Sequence, residues 1–445
     1  MTPERVRIGL LGCGNVGASL VELIDSRRDA IAARTGLRLE VTRVAVRSLA
    51  KERPVEVPEG VLTLDAAGLA VDPDVDVVVE VIGGIEPARE LILAALKAGK
   101  PVVTGNKELL ANVGADLFAA AEEAGVDLLF EAAVAGGIPF IRPLRESLAG
   151  ERIDRIMGIV NGTTNYILTR MTEAGASYAD ALSEAQSLGY AERDPTADVE
   201  GHDAAAKAAI IASIAFGVRV VAGDVYDEGI SRITPADIDY ARKMGYVVKL
   251  LAIAEQHDGD EPDGHGPGGG RPDGHPGEVA VRVHPAMVPA DHPLASVRDS
   301  FNAIFVEGAA VGDLMFYGRG AGGSPTASAV LGDVIDAALN RTRGSHATVG
   351  ALAKARIRPI DEIESAYYIN LDVFDRPGVL AAVAGVFGRH DVSIRSMEQE
   401  GLGGEARLVF ITHVAREAAV QATIRDLHHL DAVDRITSVL RVIGQ

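Results

Sequence analysis

The sequence predicts an α/β protein in three parts: a doubly wound parallel sheet, an α+β domain, and a small C-terminal βαββαβ unit. Three observations lead there. Glycines at 12, 14 and 17 sit between an apolar strand pattern and a helical one. Short apolar runs then alternate with helical patterns as far as residue 138, the rhythm of a parallel sheet covered on both faces. After residue 367 period-two strands alternate with two helical stretches, which closes a ferredoxin-like fold.

Residues 6–11 read as a buried strand and residues 18–24 as the start of a helix. Gly12, Gly14 and Gly17, with Asn15 and Val16 between them, fit the dinucleotide fingerprint of a Rossmann-type domain. The first glycine permits the tight turn, the second lets backbone approach a pyrophosphate, and the third lets helix pack on strand. Cys13 between them reads as a small buried side chain. The next strand, 41–46, ends at Arg47, where an acid would bond an adenosine ribose; with Ser48 and Lys51 beyond it, Arg47 favours NADP(H), and use of NAD(H) as well is compatible. Strands at 76–84 and 101–104 flank a helix at 86–98. Ligands bind at the carboxyl ends of such strands, which selects Gly83, Thr104 and Lys107. Residues 127–131 read as one more strand, followed by a strand-end turn.

Residues 139–150 read as a helix leading out of this domain, and 153–160 as a half-exposed strand. The cluster from Asn161 to Tyr166 suits either a polar amino-acid ligand or a turn with a helix cap. Residues 233–250 read as a helix and 251–254 as a strand. The run 257–277, nearly all Asp, Gly, His and Pro, cannot bury a core and reads as a mobile loop whose histidines lack compact ligand spacing. Late strands at 279–283, 301–306 and 312–317 lead to Gly320 and Gly322, which allow close backbone approach to a nicotinamide. A helix over 326–340 returns to the first domain. The expected division is 1–138, completed by about 324–345, for cofactor; 139–323 for catalysis and dimerisation; 346–364 as linker; and 365–445 as the small domain.

A chain of 445 residues suggests about two to four domains. A net charge of −20 disfavours nucleic acid and anionic membrane as partners. The single cysteine excludes an intrachain disulfide and suits a reducing cytoplasm, and neither a signal peptide nor a membrane-length apolar run is read.

The densest chemistry lies between Gly189 and Lys207, where closely spaced acids precede one lysine that enters an apolar run. Pro195 and Gly201 mark a loop turning into a helix. Asp203 and Lys207 stand one turn apart and share a helical face. A lysine entering apolar surroundings beside a carboxylate suits a proton donor with a tunable pKa; an ordinary ion pair at a helix start has the same spacing.

This stretch resembles the signature of homoserine dehydrogenases: Ala185, Gly189, Tyr190, Asp194-Pro195, then Asp198-Val199-x-Gly201-x-Asp203 and Lys207. The Asn161–Tyr166 cluster, the Asn106-Lys107 pair and the glycine run at 318–323 are similar to the same family. The turn Asp375-Arg376-Pro377-Gly378-Val379-Leu380 resembles that of an ACT domain. The resemblance covers nearly the whole chain. It implies a monofunctional enzyme interconverting L-aspartate 4-semialdehyde and L-homoserine with NAD(P)(H), in threonine, methionine and isoleucine synthesis. It implies Lys207 as proton donor to the alkoxide, Asp203 as the group orienting it or binding substrate, and Glu192 holding the substrate ammonium. Asp198 is a lesser substrate candidate, Lys107 the competing acid, and Gly189 a cofactor contact. It implies a monovalent cation, Na+ or K+, at Glu131, Val134, Gly136 and Ile138, where oxygen ligands suit a hard ion. The ACT domain implies an amino-acid effector, threonine, at Asp375, Gly378 and Val379, by way of helix-start amides; a ligand-free dimerisation module is the other reading. The expected assembly is a homodimer or homotetramer. Two further readings are a cofactor-binding amino-acid sensor without chemistry and a dehydrogenase of another small amino or oxo acid.

Overall fold

The computed structural model describes residues 3–58, 60–257, 277–350, 352–401 and 405–444. The Asp/Gly/His/Pro-rich run, apart from His257 and Gly277, lies outside these residues. Val6, Ile8, Leu10 and Leu11 are all buried, which makes β1 (Glu4–Leu11) an interior strand. Next come α1 (Asn15–Thr35), β2 (Leu37–Ala45), β3 (Leu62–Thr63), α2 (Ala66–Val71), β4 (Val77–Glu80), α3 (Ala88–Lys97), β5 (Val102–Thr104), α4 (Lys107–Ala124) and β6 (Leu128–Leu129). The strands pair in parallel in the order β3-β2-β1-β4-β5-β6. Strand order reverses between β1 and β4, so the ligand crevice opens at their carboxyl ends. The expected strand at 127–131 shortens to Leu128–Leu129, because Glu131 turns into a single 3-10 turn ending at Ala133.

The middle domain comprises β7 (Ile153–Ile159), α5 (Gly162–Ala174), α6 (Tyr178–Ser187), α7 (Thr196–Val199), α8 (His202–Phe216), β8 (Val218–Arg219), β9 (Tyr226–Asp227), α9 (Pro235–Lys243), β10 (Tyr246–His257), β11 (Glu278–Pro289), β12 (Phe301–Gly308) and β13 (Gly312–Arg319). Its main antiparallel order is β13-β12-β7-β10-β11. The expected helix over 233–250 stops at Lys243. Gly245, at φ 82°, turns the chain, and Tyr246, Val247 and Val248 join β10, where pairing along β11 outweighs helical patterning. The expected helix at 139–150 is reduced to a short stretch that widens into a π-helical turn, Pro143–Ser147, with the Leu148 amide on the Pro143 carbonyl at 2.9 Å. α10 (Gly323–Arg343) returns to the first domain: Ala327, Val330, Val334 and Ala337 share a core with Ile8, Leu10 and Leu20.

The segment expected as a linker is partly sheet. β14 (Ala353–Lys354) pairs with β8, and β15 (Arg356–Ile357) with β11. Then follow β16 (Glu364–Phe374), α11 (Val379–Arg389), β17 (Ile394–Gly401), β18 (Glu405–Thr412), β19 (Ala415–Arg416), α12 (Glu417–His428) and β20 (Val433–Val442). The antiparallel order β20-β16-β18-β17 is ferredoxin-like. The strand expected at 392–394 begins only at Ile394 and runs to Gly401. β20 also pairs in parallel with β11, Ala286 facing Arg441 and Met287 facing Val442, so one ladder runs through both domains. α9 docks on the small domain's sheet: fully buried Asp237 accepts from the Tyr368 hydroxyl at 3.1 Å, the Asn370 amide at 3.3 Å and the Ser438 hydroxyl. Among the described residues, no helix is long and apolar enough to cross a membrane.

Candidate active site

The glycine fingerprint does what its spacing requires. Gly12 has φ 102°, and a Cβ built on Gly17 would lie 2.3 Å from the Gly12 carbonyl oxygen, so only glycine lets α1 cross β1 this closely. Asn15 and Val16 open α1, whose free amides point into the crevice. A cleft of ≈ 500 Å³ is lined by Gly12, Cys13, Gly14, Arg47, Ser48, Lys51 and Arg53, among others. Sequence reasoning missed Arg53: its guanidinium donates to the carbonyls of Lys51 at 2.8 Å, Leu49 at 3.3 Å and Ser48, and so shapes the basic rim.

At the next strand ends, the fully buried Glu80 carboxylate accepts the amides of Ile82 at 2.7 Å and Gly83 at 3.2 Å, and the Thr104 hydroxyl at 2.6 Å. Thr104 also accepts the Asn106 amide at 3.0 Å. Its side chain is therefore consumed inside the protein, and it serves the crevice by holding the loops in place. Asn106 caps α4 by accepting the Leu109 amide at 3.1 Å, which sets Lys107 on the first turn.

α8 enters the core with its first turn facing β7. Lys207, 9 % exposed, donates to Asp203 Oδ2 at 2.6 Å and to the Val160 carbonyl at 2.7 Å. Lys107 reaches the other oxygen of the same carboxylate from α4. The structure thus joins Lys207, Asp203 and Lys107, from two domains, around one buried acid. Burial opposes ionisation of Asp203, yet the two ammoniums outweigh it and hold the carboxyl well below the usual range. Partial burial works against the charge on Lys107, but Asp203, aided by Asp198 and Glu108, leaves its pKa above the ordinary lysine value. Asn161, just after β7, bears out the helix-cap reading of its cluster and also ties the cap to the acids of α7 and α8. Its Oδ1 caps α5 through the Thr164 amide at 2.9 Å, while its Nδ2 donates to Asp198 at 2.7 Å and Asp203 at 2.9 Å. Glu192 lies exposed on the loop after α6, outside this hydrogen-bonded group. Gly189, at φ 76°, turns that loop, and the Tyr190 carbonyl accepts from Thr163 at 2.7 Å.

Two glycine-rich loops meet beside this cluster. A Cβ on Gly136 would stand 2.2 Å from the Gly320 carbonyl oxygen, and one on Gly320 would overlap the Asn302 amide at 2.0 Å. Gly320 is thus required by the protein's own packing, while Gly322, at φ 128°, precedes α10 at its N-cap. Both oxygens of the Glu131 carboxylate are engaged by backbone: it accepts the amides of Phe140 at 2.5 Å, Ile141 at 2.7 Å and Arg142 at 2.8 Å. The buried carbonyls of Val134 and Gly136 accept no hydrogen bond among the described residues, which fits oxygen ligands for a cation. Ile138 is buried in the same loop. No cluster of His, Cys, Asp and Glu suited to a metal occurs among the described residues. In the small domain Asp375, Gly378 and Val379 line a ≈ 90 Å³ recess with Gln399 and Leu408, and Gly378, at φ 90°, is the N-cap of α11.

Comparison with known proteins agrees along the whole length. Family models described as "Homoserine dehydrogenase, NAD binding domain", "Homoserine dehydrogenase" and "ACT domain" match residues 12–131, 139–335 and 367–431. Homoserine dehydrogenase of Corynebacterium glutamicum is 52% identical over 438 residues, covering 98% of this chain and 95% of the relative. The crystal structure of a homoserine dehydrogenase from Thiobacillus denitrificans superposes with a TM-score of 0.90 at 40% identity, covering 99% of this chain and 98% of that one. A hyperthermophilic archaeal homoserine dehydrogenase in complex with NADPH gives a TM-score of 0.60 at 28% identity, covering 76% of this chain and 98% of that one. With a dinucleotide crevice, a buried lysine–carboxylate cluster and these likenesses end to end, the chain belongs to the homoserine dehydrogenase family, as an NAD(P)-dependent oxidoreductase with an ACT domain.

Proposed function

We propose that reduction of L-aspartate 4-semialdehyde to L-homoserine takes place against the Lys207–Asp203–Lys107 cluster, with Lys207 protonating the nascent alkoxide. One observation carries this reading. Two of the three N–H bonds of Lys207 are fixed, on Asp203 and the Val160 carbonyl, which leaves one donor with no partner among the described residues. The bound nicotinamide supplies the hydride. Asp203 orients Lys207 and favours the charged form of Lys107. Asp198, braced by Asn161, and Glu192 hold the substrate ammonium. Replacing Lys207 by Ala is expected to lower kcat about a hundredfold or more with the Kd for NADPH nearly unchanged; normal turnover would move the role to Lys107, which the shared carboxylate makes the second reading.

The rim of Arg47, Ser48 and Lys51 supports NADP(H), its cations suiting a 2′-phosphate, with NAD(H) as a slower partner. Gly189, Gly320 and Gly322 border the nicotinamide end. Na+ or K+ would sit on the carbonyl oxygens of the 131–138 loop, Glu131 contributing backbone rather than carboxylate. Threonine is the effector assigned to the Asp375–Val379 recess, and the enzyme works as a cytoplasmic homo-oligomer. The functional division is 1–138 with 324–345, 139–323, and 365–445.

A further inference from the structure

A second cavity, of ≈ 480 Å³, opens on the far side of α8, between the middle domain and the small one. Its floor is a closed ion network. Arg441, 5 % exposed, forks onto Glu417 at 2.9 and 3.0 Å and reaches Glu228 at 3.0 Å, with the rings of Tyr226 and Tyr367 at 5.2 and 6.0 Å from its guanidinium carbon. The Tyr367 hydroxyl, at 2.5 Å, and the Gln421 amide, at 2.8 Å, complete the coordination of Glu417. The walls are different. Glu200 and Arg232 both line the cavity, and the side chain of neither makes a hydrogen bond or ion pair among the described residues. Asp227 also faces it, paired with His202 at 2.6 Å. Around the cavity four carboxylates, Glu200, Asp227, Glu228 and Glu417, confront two guanidiniums, Arg232 and Arg441. An unpaired acid and an unpaired base in one cavity match a zwitterion, and the surplus of acids selects one carrying a further positive charge.

We propose that this interdomain cavity binds a cationic α-amino acid, its carboxylate on Arg232 and its ammonium groups on Glu200 and the neighbouring acids, and that occupancy is read by Asp203. The relay is short. Glu228 meets Arg441 on one side, and on the other the segment after it lies on the backbone before α8. The Ile230 amide donates to the Val199 carbonyl at 2.8 Å, and a Cβ on Gly229 would fall 2.3 Å from that same oxygen. Glu200 and His202 then flank Gly201, and His202 adjoins Asp203, whose carboxylate holds both lysines. This site is separate from the Asp375–Val379 recess, which lies at the opposite end of β16.

The test is calorimetric titration of the full-length protein with L-lysine, with L-glutamate as the charge-reversed control, alongside steady-state kinetics at saturating L-lysine. L-Lysine is expected to bind one per chain and to change the KM for the semialdehyde, while L-glutamate gives no heat. Glu200→Gln and Arg232→Gln, both outside the folding core, should each weaken L-lysine binding roughly tenfold or more and leave basal turnover intact. Absence of L-lysine binding, affinity unchanged in both variants, or affinity lost in Asp375→Ala but kept in the two variants would overturn the site. Binding without any kinetic effect would overturn the relay.

Discussion

Asp203 carries more of the site than its size suggests, because one carboxylate neutralises two lysines brought from different domains. Asp203→Asn removes the carboxylate that holds the Lys107 pKa above its ordinary value, so Lys107 loses its proton more readily and the basic limb of the kcat profile should move to lower pH. A stability loss of about 3 kcal/mol is expected near neutrality. Because the folded carboxyl titrates below its ordinary value, its stabilisation is present above about pH 4 and fades only as pH falls through the depressed folded value. Melting temperatures of the two proteins should therefore stay apart from pH 8 to 5 and converge only in stronger acid; convergence by pH 6 would show that Asp203 is not held down by the lysines. The Asp203–Lys207 pair was legible because four residues make one helical turn. Val160 and Asn161, 47 and 42 residues away from their partners, were not, since no local spacing announces a contact made by tertiary packing. Arg53 was missed for a related reason: its bonds go to backbone carbonyls, which every residue offers.

Elements were legible where their pattern had one interpretation. The crossing of α1 over β1 is the clearest case, for three glycines state it outright. Gly17→Ala must push the new methyl into the Gly12 carbonyl, backbone against backbone with no flexible side chain to yield. A loss of about 1–3 kcal/mol is expected, with NADPH affinity falling along with the melting temperature; an alanine variant that melts and binds like the parent would show that the crossing can relax. Between α9 and β10 the letters were ambiguous. Apolar residues from Ile238 to Leu250 serve helix and strand alike, and the decision came from β7 and β11, which offer edges on both sides of β10. β14 and β15 escaped notice because two-residue strands have no period to detect.

For the whole molecule, three domains could be counted from the sequence, but not their union. Which strand lies beside β20 is settled by distant residues, so the joint with β11 left no mark on either segment. That joint bears on how effector control should be examined. A chain ending at 364 would strip Asp237 of Tyr368, Asn370 and Ser438 and bare Ile238 and Tyr240, so it is expected to melt several degrees lower by calorimetry, over and above any change in regulation. Asp375→Ala leaves the sheet intact and separates the two effects: threonine inhibition should disappear while turnover and melting temperature hold. Full inhibition in that variant would place the effector elsewhere.

The backbone joint between the two sheets is two residue pairs of β11 and β20, continued by the Ile443 amide on the Met287 carbonyl at 2.9 Å, and the side chains of Asp237 and Arg441 brace it from either domain. A joint this short is the narrowest part of the shared ladder, so its amides are expected to open before those of the sheets on either side. Amide deuterium uptake at Ile443 would then serve as a gauge of engagement between the two halves.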